Sequence, residues 1–129
     1  MTPEQKIRWM AIELYRTWAD DQVIEEVTAD NVDEVFDELE DCLYDAMYEI
    51  REGEVETDIP SPYSRHLESK SVAAQAPDGT WVGWTYWYGG GKHAEPEAVE
   101  WISEAYDLDV VEEEKLVIVR TFTKVGESE

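Results

Sequence analysis

A chain of 129 residues has room for one domain with a real core and little for a second. An apolar fraction of 43%, with six Trp and seven Tyr, excludes a disordered acidic tail. The 32 acidic residues against 10 basic ones, a formal charge of -22, argue against direct binding to DNA, RNA or anionic lipid, each of which would be repelled.

The first half reads as helix. Thr2-Pro3-Glu4-Gln5 is a start signal: Thr as N-cap, Pro at the first helical position, Gln three residues after the cap. Ile7, Met10, Ala11, Leu14 and Trp18 recur at helical spacing and predict a first helix to about Ala19. Asp20 or Asp21 caps a short second helix holding Val23, Ile24 and Val27, and Thr28 to Asn31 offers another cap. From Val32 to Ile50 one apolar stripe (Val32, Val35, Phe36, Leu39, Cys42, Leu43, Ala46, Met47, Ile50) predicts a single helix of about five turns, stopped near Gly53.

Pro60 and Pro62 mark a boundary, and the second half reads as β-rich with one helix. His66 to Gln75 is a strand, Pro77-Asp78-Gly79 a turn, and Thr80 to Tyr88 an aromatic strand. Gly89-Gly90-Gly91 leads to a helix opened by Pro96, with Ala98, Trp101, Ile102 and Ala105 as its buried face. Lys115 to Lys124 is a final strand, paired with Leu108 to Val111 through the turn Glu112-Glu113-Glu114. The expectation is one α+β domain over 1–129: an acidic helical part, 1–59, packed with a small antiparallel sheet carrying one helix, 63–129.

The charge is uneven. Between Asp20 and Asp58 stand seventeen acidic residues and a single base, Arg51. Asp33, Asp37, Asp41, Asp45 and Glu49 repeat every four residues, which on a continuous helix is about 6 Å per step. That interval approximates the phosphate spacing of a nucleic-acid strand, and Glu34, Glu38 and Glu40 widen the row. Like charges at this spacing cost each pair about 0.2–0.5 kcal/mol, and a helix needing only solubility would intersperse Lys and Arg. A solvated face and adaptation to high salt are the plainer readings. The unevenness favours a basic partner, since salt adaptation acidifies both halves alike.

The expected function is therefore a non-enzymatic inhibitor, a DNA mimic that blocks a basic nucleic-acid-binding protein such as a nuclease, polymerase, repressor or defence complex. An immunity-type antagonist of one basic toxin fits the same charge. Trp84 and Tyr86 of the aromatic strand are candidate partner contacts as well, and the alternative is an adaptor or assembly factor, acidic only for solubility, that docks through that strand and is sensitive to Trp84 or Trp87. On the aromatic strand Trp81 and Trp87 share one face, and Trp84, Tyr86 and Tyr88 the other. A central strand covered on both sides explains the same residues. Homo-oligomers are compatible with either reading.

Catalysis, cofactors and metals find no support. Gly89-Gly90-Gly91-Lys92-His93 fails as a phosphate loop, with Tyr86 where the first Gly belongs and His93 where Ser or Thr belongs. His66 and His93 have no metal-ligand spacing, although a small enzyme or metal-binding protein using them is a third option. No Gly-x-Ser-x-Gly motif occurs, and Cys42 on the apolar stripe predicts an inert core thiol. A lone cysteine closes no internal disulfide, no apolar run reaches the roughly 18 residues of a membrane span, and Glu4 and Lys6 leave no secretory signal. The expected location is the cytoplasm.

The run Ser71-Val72-Ala73-Ala74, followed by Pro77-Asp78-Gly79-Thr80-Trp81-Val82-Gly83-Trp84-Thr85-Tyr86-Trp87-Tyr88-Gly89-Gly90-Gly91-Lys92-His93, resembles small acidic accessory proteins of tailed bacteriophages. The resemblance covers about the second half of the chain. It implies a role in host takeover or counter-defence, in the host cytoplasm, and assigns no functional residue.

Overall fold

Thr2 starts the first helix as its sequence predicts. In the computed structural model, which describes residues 1–92 and 94–126, the Thr2 hydroxyl accepts from the Gln5 amide and the Gln5 side chain accepts from the Thr2 amide. Helix α1 spans Pro3–Trp18. Ile7, Met10 and Ala11 are buried as expected, and Ile12 is too, while Trp18 stays exposed. Burial on more than one face lets α1 serve two apolar clusters. Ile7 and Met10 pack with Val72, Val82, Trp84 and Trp101. Ile12 packs with Val27, Val32, Val35 and Leu43.

The short helix expected after Asp20 does not form. Residues 23–28 lack regular structure, Val23 is exposed and Val27 alone is buried there. Arg16 ties the segment to α1 by donating to the Ile24 and Glu25 carbonyls. The turn that follows is closed by reciprocal bonds: the Thr28 amide donates to the Asn31 side chain and the Asn31 amide to the Thr28 hydroxyl.

The five-turn helix is broken in two. Helix α2 is Val32–Leu39, a 3-10 turn occupies Glu40–Cys42, and α3 is Tyr44–Ile50. The break has a packing reason. Val32, Val35 and Leu43 serve the cluster around Ile12, whereas Met47 and Ile50 pack against the cluster around Trp84. A tighter turn of three residues re-phases the stripe between these two targets. Cys42 falls on that turn and is exposed, not part of the core.

Among the described residues the sheet has four antiparallel strands in the order β1-β2-β3-β4: Val55–Glu56, Glu68–Gln75, Trp81–Tyr88 and Tyr106–Leu108. The hairpin β2–β3 pairs Glu68 with Tyr88 through to Gln75 with Trp81. Its turn is held by Asp78, which accepts from the amide and the hydroxyl of Thr80. With period two, Val72, Ala74, Val82 and Trp84 face α1, and the chain is an α+β fold in which α1 and α3 pack on the sheet around one cluster while α2 packs on α1 around the other. Segment 60–62 lies on the opposite face, where the Ser69 and Ser71 hydroxyls donate to the Pro62 and Pro60 carbonyls.

Two expectations for the second half fail. Instead of a helix after Pro96 there are two 3-10 turns, Pro96–Ala98 and Ile102–Glu104. The Glu100 carboxylate accepts from the Ile102 and Ser103 amides, replacing the helical ladder. Trp101 is drawn inward against Trp84, ring centroids 5.3 Å apart, while Ala98 is exposed. The final strand is also absent: residues 109–124 have no regular structure, and Tyr106–Leu108 pairs with Trp81–Gly83 instead. Glu112-Glu113-Glu114 contains no residue suited to the positive φ of a tight hairpin, and its carboxylates repel.

Candidate partner-binding surface

Asp33, Glu34, Asp37, Glu38, Glu40, Asp41, Asp45 and Glu49 are all exposed. They do not form one straight row, because the 3-10 turn at Glu40–Cys42 interrupts the four-residue interval. The surface is an acidic band that turns with the chain from α2 onto α3. At its α1 end the charge is compensated. Arg8 donates to Asp33 at 2.8 Å and approaches Glu4 at 3.7 Å, and Gln5 adds a bond to Asp33 at 3.2 Å. The other seven carboxylates have no ion-pair partner among the described residues; the bases of α1 are used elsewhere, Lys6 on Asp107 and Arg16 on Glu13.

Arg51 shows why the band stays uncompensated. As the one base of the acidic stretch it could have neutralised its own helix, yet it is 7% exposed. Its guanidinium lies 5.3 Å from the Tyr48 ring centroid and 5.0 Å from that of Tyr86, and Nη1 donates to the Trp87 carbonyl at 3.0 Å. Its own carbonyl accepts from Trp84 Nε1 at 2.9 Å. Arg51 therefore ties α3 to β3 through stacking and hydrogen bonds, and its charge is withdrawn from the acidic face. Nε of Arg51 is buried without a hydrogen-bond partner.

Of the aromatic candidates, Trp84 is fully buried and offers no contact surface. Tyr86 is half-buried, stacked on Tyr88 with ring centroids 5.3 Å apart and flanked by Lys70. The strand is thus central and covered by helix on one face only; Trp81 and Trp87 on the other face are half-buried. Two aromatics that periodicity analysis passed over are more accessible. Tyr44 and Tyr48 are 74% and 52% exposed, one turn apart on α3, interleaved with Asp45 and Glu49. The signal was present: both lie off the apolar stripe of their helix, where a large ring has no core to fill.

Two ionisable groups are displaced from ordinary behaviour. The Cys42 thiol beside the Tyr15 hydroxyl, with some burial, raises the Tyr15 pKa. Hydrogen bonds from Thr80, side chain first and then backbone, lower that of Asp78. Neither lies in the acidic band. No cluster of three metal-ligating side chains occurs among the described residues. His66 is exposed in a polar depression with Tyr63, Arg65 and Glu68, and His93, with the phosphate-loop comparison that included it, lies outside the described residues. Gly89 to Gly91 leads to a 3-10 turn at Pro96–Ala98, so the described loop opens no α-helix that could receive a phosphate. No helix among the described residues is long and apolar enough to cross a membrane.

Comparison with protein-family models, with curated proteins and with solved structures finds no match to this chain.

Proposed function

We propose that the chain is a non-enzymatic inhibitor whose acidic α2–α3 band occupies a basic, nucleic-acid-binding surface on another protein. The observation that carries the reading is the uncompensated band itself: seven exposed carboxylates from Glu34 to Glu49, with the one base of the 20–58 stretch, Arg51, turned into the core. Self-repulsion of this kind weakens the fold, and a basic partner removes it. Tyr44 and Tyr48 give the band two exposed rings of the type that anchors interfaces. The turn between α2 and α3 makes the mimicry one of charge density over a curved surface, and a single strand of phosphates is a poorer description. The adaptor reading loses Trp84 to burial and keeps Trp87, which is half-buried. A counter-defence role in a bacterial host fits both this reading and the phage-protein resemblance.

The test is affinity capture from a nuclease-treated bacterial lysate, washed at low and at high salt and read by mass spectrometry. The reading requires a basic DNA- or RNA-handling protein retained at low salt and released at high salt. A salt-resistant partner without a nucleic-acid site would overturn it. Lys replacements at Asp37, Asp41 and Asp45 should weaken capture about 100-fold or more and flatten its salt dependence.

A further inference from the structure

The segment 115–124 runs against the character of the rest of the molecule. Lys-Leu-Val-Ile-Val-Arg-Thr-Phe-Thr-Lys has three bases and no acid, in a chain whose other residues sum to -25. It is rich in β-branched and aromatic residues, the composition of a strand. Yet Leu116, Val117, Ile118, Val119 and Phe122 are between 77% and 104% exposed. A contiguous apolar run of this size on a soluble surface marks an interaction site.

The same molecule carries a complementary place. Tyr106–Leu108 is one of the two edge strands of the described sheet, and residues 109–111 continue from it without regular pairing. Beside that edge Val55, Ile59, Ala73, Trp81, Leu108 and Val110 line an apolar depression of about 410 Å³. The segment cannot readily fold back onto this edge of its own chain. The intervening Glu112-Glu113-Glu114 has no turn residue and three adjacent like charges. Pairing with another molecule needs no such turn. A basic target of the acidic band would repel Lys115 and Arg120, whereas the acidic body of a second copy attracts them.

We propose that the 115–124 segment of one copy adds as a strand alongside residues 106–111 of a second copy, over its apolar depression, and receives the second copy's segment in return. Reciprocal exchange closes with two-fold symmetry, so each 115–124 segment and each β4 edge is used once and no open chain of subunits forms through this contact. The proposal is independent of what the acidic band binds.

The experiment combines sedimentation velocity across micromolar concentrations with hydrogen exchange on the full chain. The expected result is a species of twice the 14.9 kDa chain mass, with amides of 109–111 and 116–123 protected in the dimer and released together on dilution. The double variant Ile118→Asp with Phe122→Asp should weaken dimerisation about 100-fold or more. Because these side chains are 78% and 88% exposed in the single chain, it should leave the circular dichroism and thermal transition of the monomer unchanged. A full chain that stays monomeric overturns the proposal, and protected 116–123 amides in that monomer would mean the strand folds onto its own chain. A dimer unaffected by the double variant, or one with unprotected 116–123 amides, overturns it equally.

Discussion

Gly53 stands where the acidic helices hand over to the sheet, and replacing it by Ala should damage that junction measurably. Its φ is +74°, and a Cβ built there would sit 2.6 Å from Val72 Cβ and 2.8 Å from Val72 Cγ2. The left-handed backbone alone costs a side-chain-bearing residue about 1–2 kcal/mol. Val72 is itself buried, on a strand paired along its length with β3, so relieving the clash means moving that strand or α3, at about 1–3 kcal/mol. The less flexible unfolded chain of the Ala variant returns about 0.4–1 kcal/mol. The net expectation is a loss of about 2–4 kcal/mol, a large share of the 5–15 kcal/mol or so typical of a domain. Gly79→Ala is the matched control. It has φ +90° but no neighbour nearer than Gln75 Nε2 at 3.9 Å, so the same backbone cost less the same unfolded-chain return leaves a loss of only about 0–1.5 kcal/mol. Urea unfolding followed by tryptophan fluorescence measures both. If Gly53→Ala costs no more than Gly79→Ala, the close approach of Gly53 to β2 is wrong.

Other consequences follow from the same contacts. Trp84→Phe keeps most of the buried volume but leaves the Arg51 carbonyl without its 2.9 Å indole donor, and should cost about 1–3 kcal/mol in thermal or urea unfolding; a neutral result would remove the indole bond from the α3–β3 tie. Cys42, exposed on the 3-10 turn, should react with a thiol reagent in the native state without global unfolding, and reaction only through the unfolded chain would contradict its exposure. The Asp78 carboxyl, held below its ordinary value by Thr80, contributes stability that is present above the ordinary carboxylate pKa and is lost as pH falls through its lower folded value. Carbon NMR should show its midpoint below 3.8 and Thr80→Val should move it back up. Lys at positions 37, 41 and 45 should raise the melting temperature while weakening partner binding about 100-fold or more, because each replacement removes a charge from a self-repelling surface; a lower melting temperature would show that these carboxylates serve the fold.

The elements legible in the sequence were those decided by local chemistry. The capping box at Thr2, the periodicity of Ile7, Met10 and Ala11, the Asp78-Gly79 turn and the alternation through Trp81 to Tyr88 each specify structure within a few residues, and each formed. Elements decided by distant packing were not legible. The stripe from Val32 to Ile50 fits one helix until two separate clusters compete for its two ends. Trp101 fits a helix until Trp84 and the Glu100 carboxylate draw the chain into turns. β1 escaped notice because two exposed residues, Val55 and Glu56, carry no alternation. On the candidate surface, the exposure of all eight carboxylates was readable from their position off the apolar stripe. The inward turn of Arg51 was not, since it depends on Tyr86 and Trp87 more than thirty residues away.

The most direct test of the acidic band is competition. With the basic protein recovered by capture, a labelled DNA or RNA duplex is bound first and this chain is titrated in, with fluorescence anisotropy as the readout. The account predicts stoichiometric displacement of the duplex by the native chain, weakening as salt is raised, and none by the chain with Lys at positions 37, 41 and 45. A ternary complex in which duplex and chain bind together would contradict it.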